Sequence, residues 1–159
     1  MLQQALLDLA AWVERDVEPP TNTAYAIVDG QVEVPDSAEA RGGIQPVIRL
    51  LANGAKRANI APGETVSLRA DITVPEGTGE LVEAAWDLDG GGDYSERLDS
   101  SQLKQSKNGS TKVVLERQQR FAEPGTYFVT LRVASQRQGN TATPFTRIQN
   151  LARVRVVVK

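Results

Sequence analysis

Asp87, Asp89 and Asp93 surround three consecutive glycines, Gly90, Gly91 and Gly92, and Glu96 follows shortly after. Acids alternating along a glycine-rich loop can turn several oxygens toward one calcium ion. A loop of the Asp-x-Asp-x-Asp-Gly kind would place an acid where Gly91 stands, and no glutamate closes this loop at its twelfth position. In the competing reading, Asp87 and Asp89 accept turn hydrogen bonds at a strand end. Two carboxylates could also run glycoside hydrolysis without histidine, but acids crowded into one loop are more often solvated or turn-forming. The three glycines are no phosphate cradle, because neither a Lys-Ser/Thr pair nor a helix follows them. Calcium held by Asp87, Asp89 and Asp93 is therefore the one metal site on offer, with no other cofactor and no catalytic residue expected.

Two absences narrow the chemistry further. The 159 residues contain no cysteine and no histidine. Thiol nucleophiles, thiolate metal sites and disulfides are ruled out. So are a histidine-based serine-hydrolase triad and the commonest zinc ligand, and the chain is expected not to be an enzyme. Net charge is −2 with both signs interspersed. No basic stripe suits a phosphate backbone, so nucleic acid is not an expected partner. No apolar run reaches the roughly 18 residues needed to span a bilayer. Met1 is not followed by a basic region and a continuous apolar core, and Asp8 interrupts the early apolar stretch, so no signal peptide is read here. The chain is expected to be either cytosolic or a piece of a longer secreted protein.

The elements that must position these residues are mostly strands. Tyr127, Val129, Leu131 and Val133 alternate with Thr126, Phe128, Thr130 and Arg132 after the turn Glu123-Pro124-Gly125, which predicts a strand with one face in a core. Val66, Leu68, Ala70 and Ile72 alternate in the same way. Further strands are predicted over 47–51, 81–88 (with Trp86), 112–121 and 145–158, and the polar stretch 94–110 reads as an exposed loop. At the front, Leu2, Leu6, Leu9, Val13 and Val17 recur at helical spacing over 2–17, and Glu18-Pro19-Pro20 ends the helix. That stripe is expected to dock on the domain that follows, or on a partner that is missing. Residues 25–28 and 31–34 flank Asp29-Gly30, a hairpin signal, and 35–43 reads as a loop and domain boundary. Arg117, Arg120, Arg132, Arg137, Arg147, Arg153 and Arg155 suggest an outward basic face on the last strands, which interleaved Gln and Glu make a solvated sheet face, with a polysaccharide- or protein-binding face as the alternative. Short strands without intervening helices make an antiparallel sandwich: one helix and an extended linker over 1–43, then an all-β sandwich over 44–159.

Ala85-Trp86-Asp87-Leu88-Asp89-Gly90 resembles the Trp-Asp-Phe-Gly-Asp-Gly segment of PKD domains, immunoglobulin-like modules of polycystin and many bacterial surface proteins. Phe121 to Leu131 (FAEPGTYFVTL) resembles the PKD run of aromatic, turn, Pro-Gly-Thr-Tyr and Val-Thr-Leu, and Pro62-Gly63-Glu64 is similar to the family's opening turn. Gln119-Arg120-Phe121 stands where the family usually has His-x-Tyr, and the stretch from Asp89 to Lys112 is long for it. The resemblance implies an immunoglobulin-like, PKD-type sandwich. Trp86 then lies at its centre, and Tyr127 bonds back to the chain as in a tyrosine corner.

Residues 1–20, with Ala5-Leu6, Leu9, Trp12-Val13-Glu14 and Pro19-Pro20, resemble the C-terminal helix of secreted α/β-hydrolases similar to tannases and feruloyl esterases. Together the resemblances imply a non-catalytic accessory or binding module of a bacterial extracellular or cell-surface protein. Its partners would be an upstream catalytic domain and a protein or polysaccharide ligand. The alternative is a stand-alone adhesion or interaction domain.

Overall fold

The computed structural model describes residues 2–103, 106–108, 110–138 and 140–159. In chain order the elements are α1 (Leu2–Arg15), β1 (Ala26–Val28), β2 (Gln31–Glu33), α2 (Ala38–Arg41), β3 (Val47–Ala52), β4 (Arg57–Ile60), β5 (Thr65–Val74) and β6 (Glu80–Asp87). They continue with β7 (Glu96–Asp99), β8 (Ser106–Asn108), β9 (Ser110–Arg120), β10 (Gly125–Gln136) and β11 (Ile148–Val158). Strands β4-β11-β10-β6-β7 form one sheet, β3-β5-β9-β8 a second, and β1-β2 a separate hairpin. All described pairings are antiparallel except that of β4 with β11. The molecule is a mostly-β antiparallel sandwich with one substantial helix.

The core follows from alternation. Val66, Leu68, Ala70, Ile72 and Val74 point inward from β5. They meet Trp86 of β6, Val129, Leu131 and Val133 of β10, and Val154, Val156 and Val158 of β11. Trp86 is 4% exposed, and its neighbour in the sheet is Leu131. Phe121 and Tyr127 stack with ring centroids 4.3 Å apart. The Tyr127 hydroxyl donates to the Glu123 carbonyl at 2.9 Å, pinning the turn before β10. Tyr127→Phe keeps the ring and loses this bond. It is expected to cost about 1 kcal/mol, read as a lower thermal midpoint with an unchanged circular dichroism spectrum.

Several expectations need correction. The stretch 94–110 is not simply a loop, because β7 pairs with β6 and β8 with β9. Lys104, Gln105 and Gly109 of that stretch lie outside the described residues. Phe145 precedes the final strand, which begins at Ile148, and is exposed. The segment 35–43 contains the short helix α2, capped by the Ser37 hydroxyl. Strand β4 escaped sequence reading because its four residues, Arg-Ala-Asn-Ile, carry only two apolar side chains.

Turns are made where backbone φ is positive. Asp29 and Gly30, at φ 49° and 75°, form the two-residue turn of the β1-β2 hairpin. Gly79, at φ 117°, brings the start of β6 so near β10 that a Cβ there would lie 2.5 Å from the Gln136 carbonyl.

Candidate functional site

The acidic loop leaves the end of β6, and the first of its acids is turned into the protein. Asp87 is only 3% exposed. One of its oxygens accepts from the Gly90 amide and the other from the Gly92 amide, each at 2.8 Å. Burial raises its pKa, but the two amides, with help from Asp89, outweigh that and hold the carboxyl below the ordinary aspartate value. Asp89 is exposed and accepts from the Gly91 amide at 2.9 Å. Asp89, Asp93 and Glu96 line a small cleft of about 240 Å³ with Trp86, Gln119 and Phe121. Among the described residues, no three acidic side chains gather closely enough to hold a metal ion. The arrangement is that of a turn clasped by Asp87, and glycine is needed at 90 and 92 because the backbone there takes φ 83° and 88° to aim its amides at the carboxylate.

The arginines do not form a single face. Arg117 belongs to β9 and pairs with Glu96 of the edge strand β7, linking the two sheets. Arg120 donates to the Thr65 hydroxyl. Arg132 and Arg147 both reach Glu83, at 3.7 and 2.7 Å, and Arg137 pairs with Asp8. Arg153 and Arg155 have no carboxylate within ion-pair range among the described residues.

The N-terminal segment was expected to dock by its apolar stripe on the sandwich or on a missing partner. Ala5, Leu9 and Trp12, at the stripe's edge, line a cleft of about 500 Å³ with Ile44 and Ile148, and the rest of the stripe is uncovered. Leu2, Leu6, Leu9 and Val13 form one stripe of α1, and all four are exposed, Val13 by 77%. Gln4, Asp8, Ala11 and Arg15 form the opposite stripe, and these face the sandwich. Gln4 is buried and donates to Asp8, which pairs with Arg137. Asp8, Ala11 and Arg15 line a cleft with Gly77, Arg137 and Gln138. At the same end of the sandwich, Gln4 Oε1, Ser135 Oγ, Gln136 Oε1 and Thr146 Oγ1 are buried without a hydrogen-bond partner among the described residues.

The hairpin repeats the pattern. Ile27 lies opposite Val32, with Tyr25 and Val34 on the same face by alternation, and all four are exposed. A two-stranded ribbon is marginal in water without something to pack on. Helical periodicity identifies the apolar stripe of α1 but not the side on which the rest of the protein lies, and only Gln4 and Asp8 hinted at it. Deleting residues 2–17 is therefore expected to move the thermal midpoint by no more than about 2–3 °C. A loss of much more would make the helix part of the sandwich's own fold.

No helix among the described residues is long and apolar enough to cross a membrane. Compared with models of known protein families and with curated proteins, the chain matches none.

Proposed function

We propose that this chain is a non-catalytic accessory and binding module of a bacterial extracellular protein, built on an immunoglobulin-like, PKD-type sandwich. The observation that carries the reading is the apolar surface of residues 2–34, which is left exposed on both helix and hairpin. A surface of this kind marks a protein interaction site. Burying each of its large side chains against a partner is worth about 1.5–3 kcal/mol. Residues 1–36 contain seven acids and one base, Arg15. The complementary surface is thus an apolar protein face bordered by Lys and Arg, and under the α/β-hydrolase resemblance it belongs to the upstream catalytic domain.

Strand order supports the immunoglobulin-like assignment. Strand β3 begins at the edge of one sheet, and the chain then crosses to add β4 to the other, parallel to β11. The core tryptophan and the tyrosine bonded back to Glu123 fit the same pattern.

The test is the mass of the native polypeptide, read with an antibody against the sandwich on extracts and medium of the source organism. A secreted band several times the mass of these 159 residues is expected. A band at the mass of this chain alone would replace the appended module with the stand-alone interaction domain.

A further inference from the structure

The outer face of the sheet at β4, β11 and β10 carries cations that no carboxylate answers. Arg57 of β4 and Arg155 of β11 are partners in the parallel pairing, and Arg153 follows at the two-residue spacing that returns a side chain to the same face. All three are exposed, and none forms an ion pair among the described residues. Arg57 donates to the neutral Asn59 side chain at 3.2 Å. The Arg153 guanidinium lies 4.9 Å from the centroid of the partly exposed Phe128 ring, on the residue that pairs with Arg155. Arg49, Lys56 and Arg153 line an adjoining groove of about 760 Å³, in which Asp36 is the one acid. Gly90 packs against the Phe128 backbone, its Cβ position 3.1 Å from the Phe128 carbonyl, so the loop that carries exposed Asp89 and Asp93 passes beside this residue.

Like charges at paired positions of a sheet repel, so Arg57 and Arg155 raise each other's energy until an anion stands between them. Guanidinium groups bind carboxylates and sulfates through paired hydrogen bonds. A half-open ring offers an apolar surface beside them, and the two aspartates offer acceptors for hydroxyl groups. That mixture fits a charged sugar better than other polyanions. A nucleic acid would bring its phosphates against Asp89 and Asp93 and would find no set of exposed rings on which to stack its bases. An acidic peptide has few hydroxyls for the aspartates to accept.

We propose that this face binds an anionic polysaccharide. Carboxylate or sulfate groups of neighbouring sugars engage Arg57, Arg153 and Arg155, and a sugar ring lies against Phe128. The proposal rests on the sandwich being a binding module, but not on what covers the N-terminal segment.

The experiment is affinity electrophoresis and calorimetry of the full chain at low ionic strength. The probes are polygalacturonate and dextran sulfate, with neutral dextran, polyglutamate and single-stranded DNA beside them. Binding to one or both charged glycans is expected, weakening with salt, with none to dextran. Which glycan binds tells whether the face reads carboxylate or sulfate. The triple variant R57E/R153E/R155E should weaken binding by about tenfold or more. K112E, on β9 of the other sheet, should leave it unchanged. R57Q/R155Q, which removes the repulsion without reversing the charge, should weaken binding in the same direction while keeping the thermal midpoint at or above that of the parent. The proposal is overturned if neither charged glycan binds, or if the arginine variants bind as well as the parent. It is overturned equally if polyglutamate or DNA binds as tightly as the glycans. None of these results alters the native mass, so the module reading and the glycan site stand or fall separately.

Discussion

Trp86→Ala is expected to lower the thermal midpoint by roughly 10–20 °C. Removing a buried tryptophan costs about 3–5 kcal/mol, because the lost transfer energy is joined by the cavity left behind, and a domain of this size loses several degrees per kcal/mol. The ring stands between two sheets whose facing residues, from Val66 to Val74 on one and from Val129 to Val133 on the other, come from strands that cannot collapse inward without breaking their ladders. The chain has one other tryptophan, Trp12, which is half exposed on α1. Trp12→Ala should leave the midpoint within about 1 °C, as surface changes do. The two variants also divide the fluorescence, with the buried, blue-shifted emission disappearing only in Trp86→Ala. A midpoint shift of a degree or two in Trp86→Ala would mean that the ring does not fill the space between the sheets.

Asp87→Ala is the second large effect, at about 2–4 kcal/mol, since it strips two amides, Gly90 and Gly92, of a charged acceptor in a buried place. Asp87→Asn keeps an acceptor for one of them and should fall between the variant and the parent. The pH dependence has a definite sign. The folded-state pKa of Asp87 lies below its unfolded value. Its stabilisation is therefore complete above the ordinary aspartate range near pH 4 and is lost as pH falls through the lower, folded value. Denaturation curves from neutral pH into acid should steepen for the parent in that window and be flatter for Asp87→Asn. Because both Asp87 oxygens already serve amides, EDTA should leave the midpoint of the parent unchanged. A drop on chelation, restored by calcium, would return Asp87, Asp89 and Asp93 to the role of metal ligands.

The core was the most legible part of the chain. Strict alternation in 66–72 and 127–133 identifies inward residues because a strand has only two faces. The edges were less legible. Strand β4 has four residues and β8 three, too few for a pattern to stand out from chance, and what makes them strands is pairing with chain far away in sequence. In the acidic loop, Asp87 and Asp89 make the hydrogen bonds of a turn at a strand end. Most was hidden at the surface. Seven arginines in the last third of the chain look alike as letters. Whether each meets a carboxylate depends on Asp8, Glu83 and Glu96, which lie elsewhere, and the one that completes the cationic face, Arg57, sits on the strand that was missed.

The parallel pairing of β4 with β11 has a consequence for how the protein is made. The last strand of the sandwich to be synthesised is an inner one, flanked by the early β4 on one side and β10 on the other. Until β11 has left the ribosome, β4 has no neighbour in its sheet and β10 only β6, and the valines of β5 have only part of the opposing sheet to cover them. Closing such distant pairings is slow, because the chain entropy is lost before the contacts form. The sandwich therefore stays open until its last strand is made, and any cellular machinery that needs an unfolded chain has that interval in which to act on it.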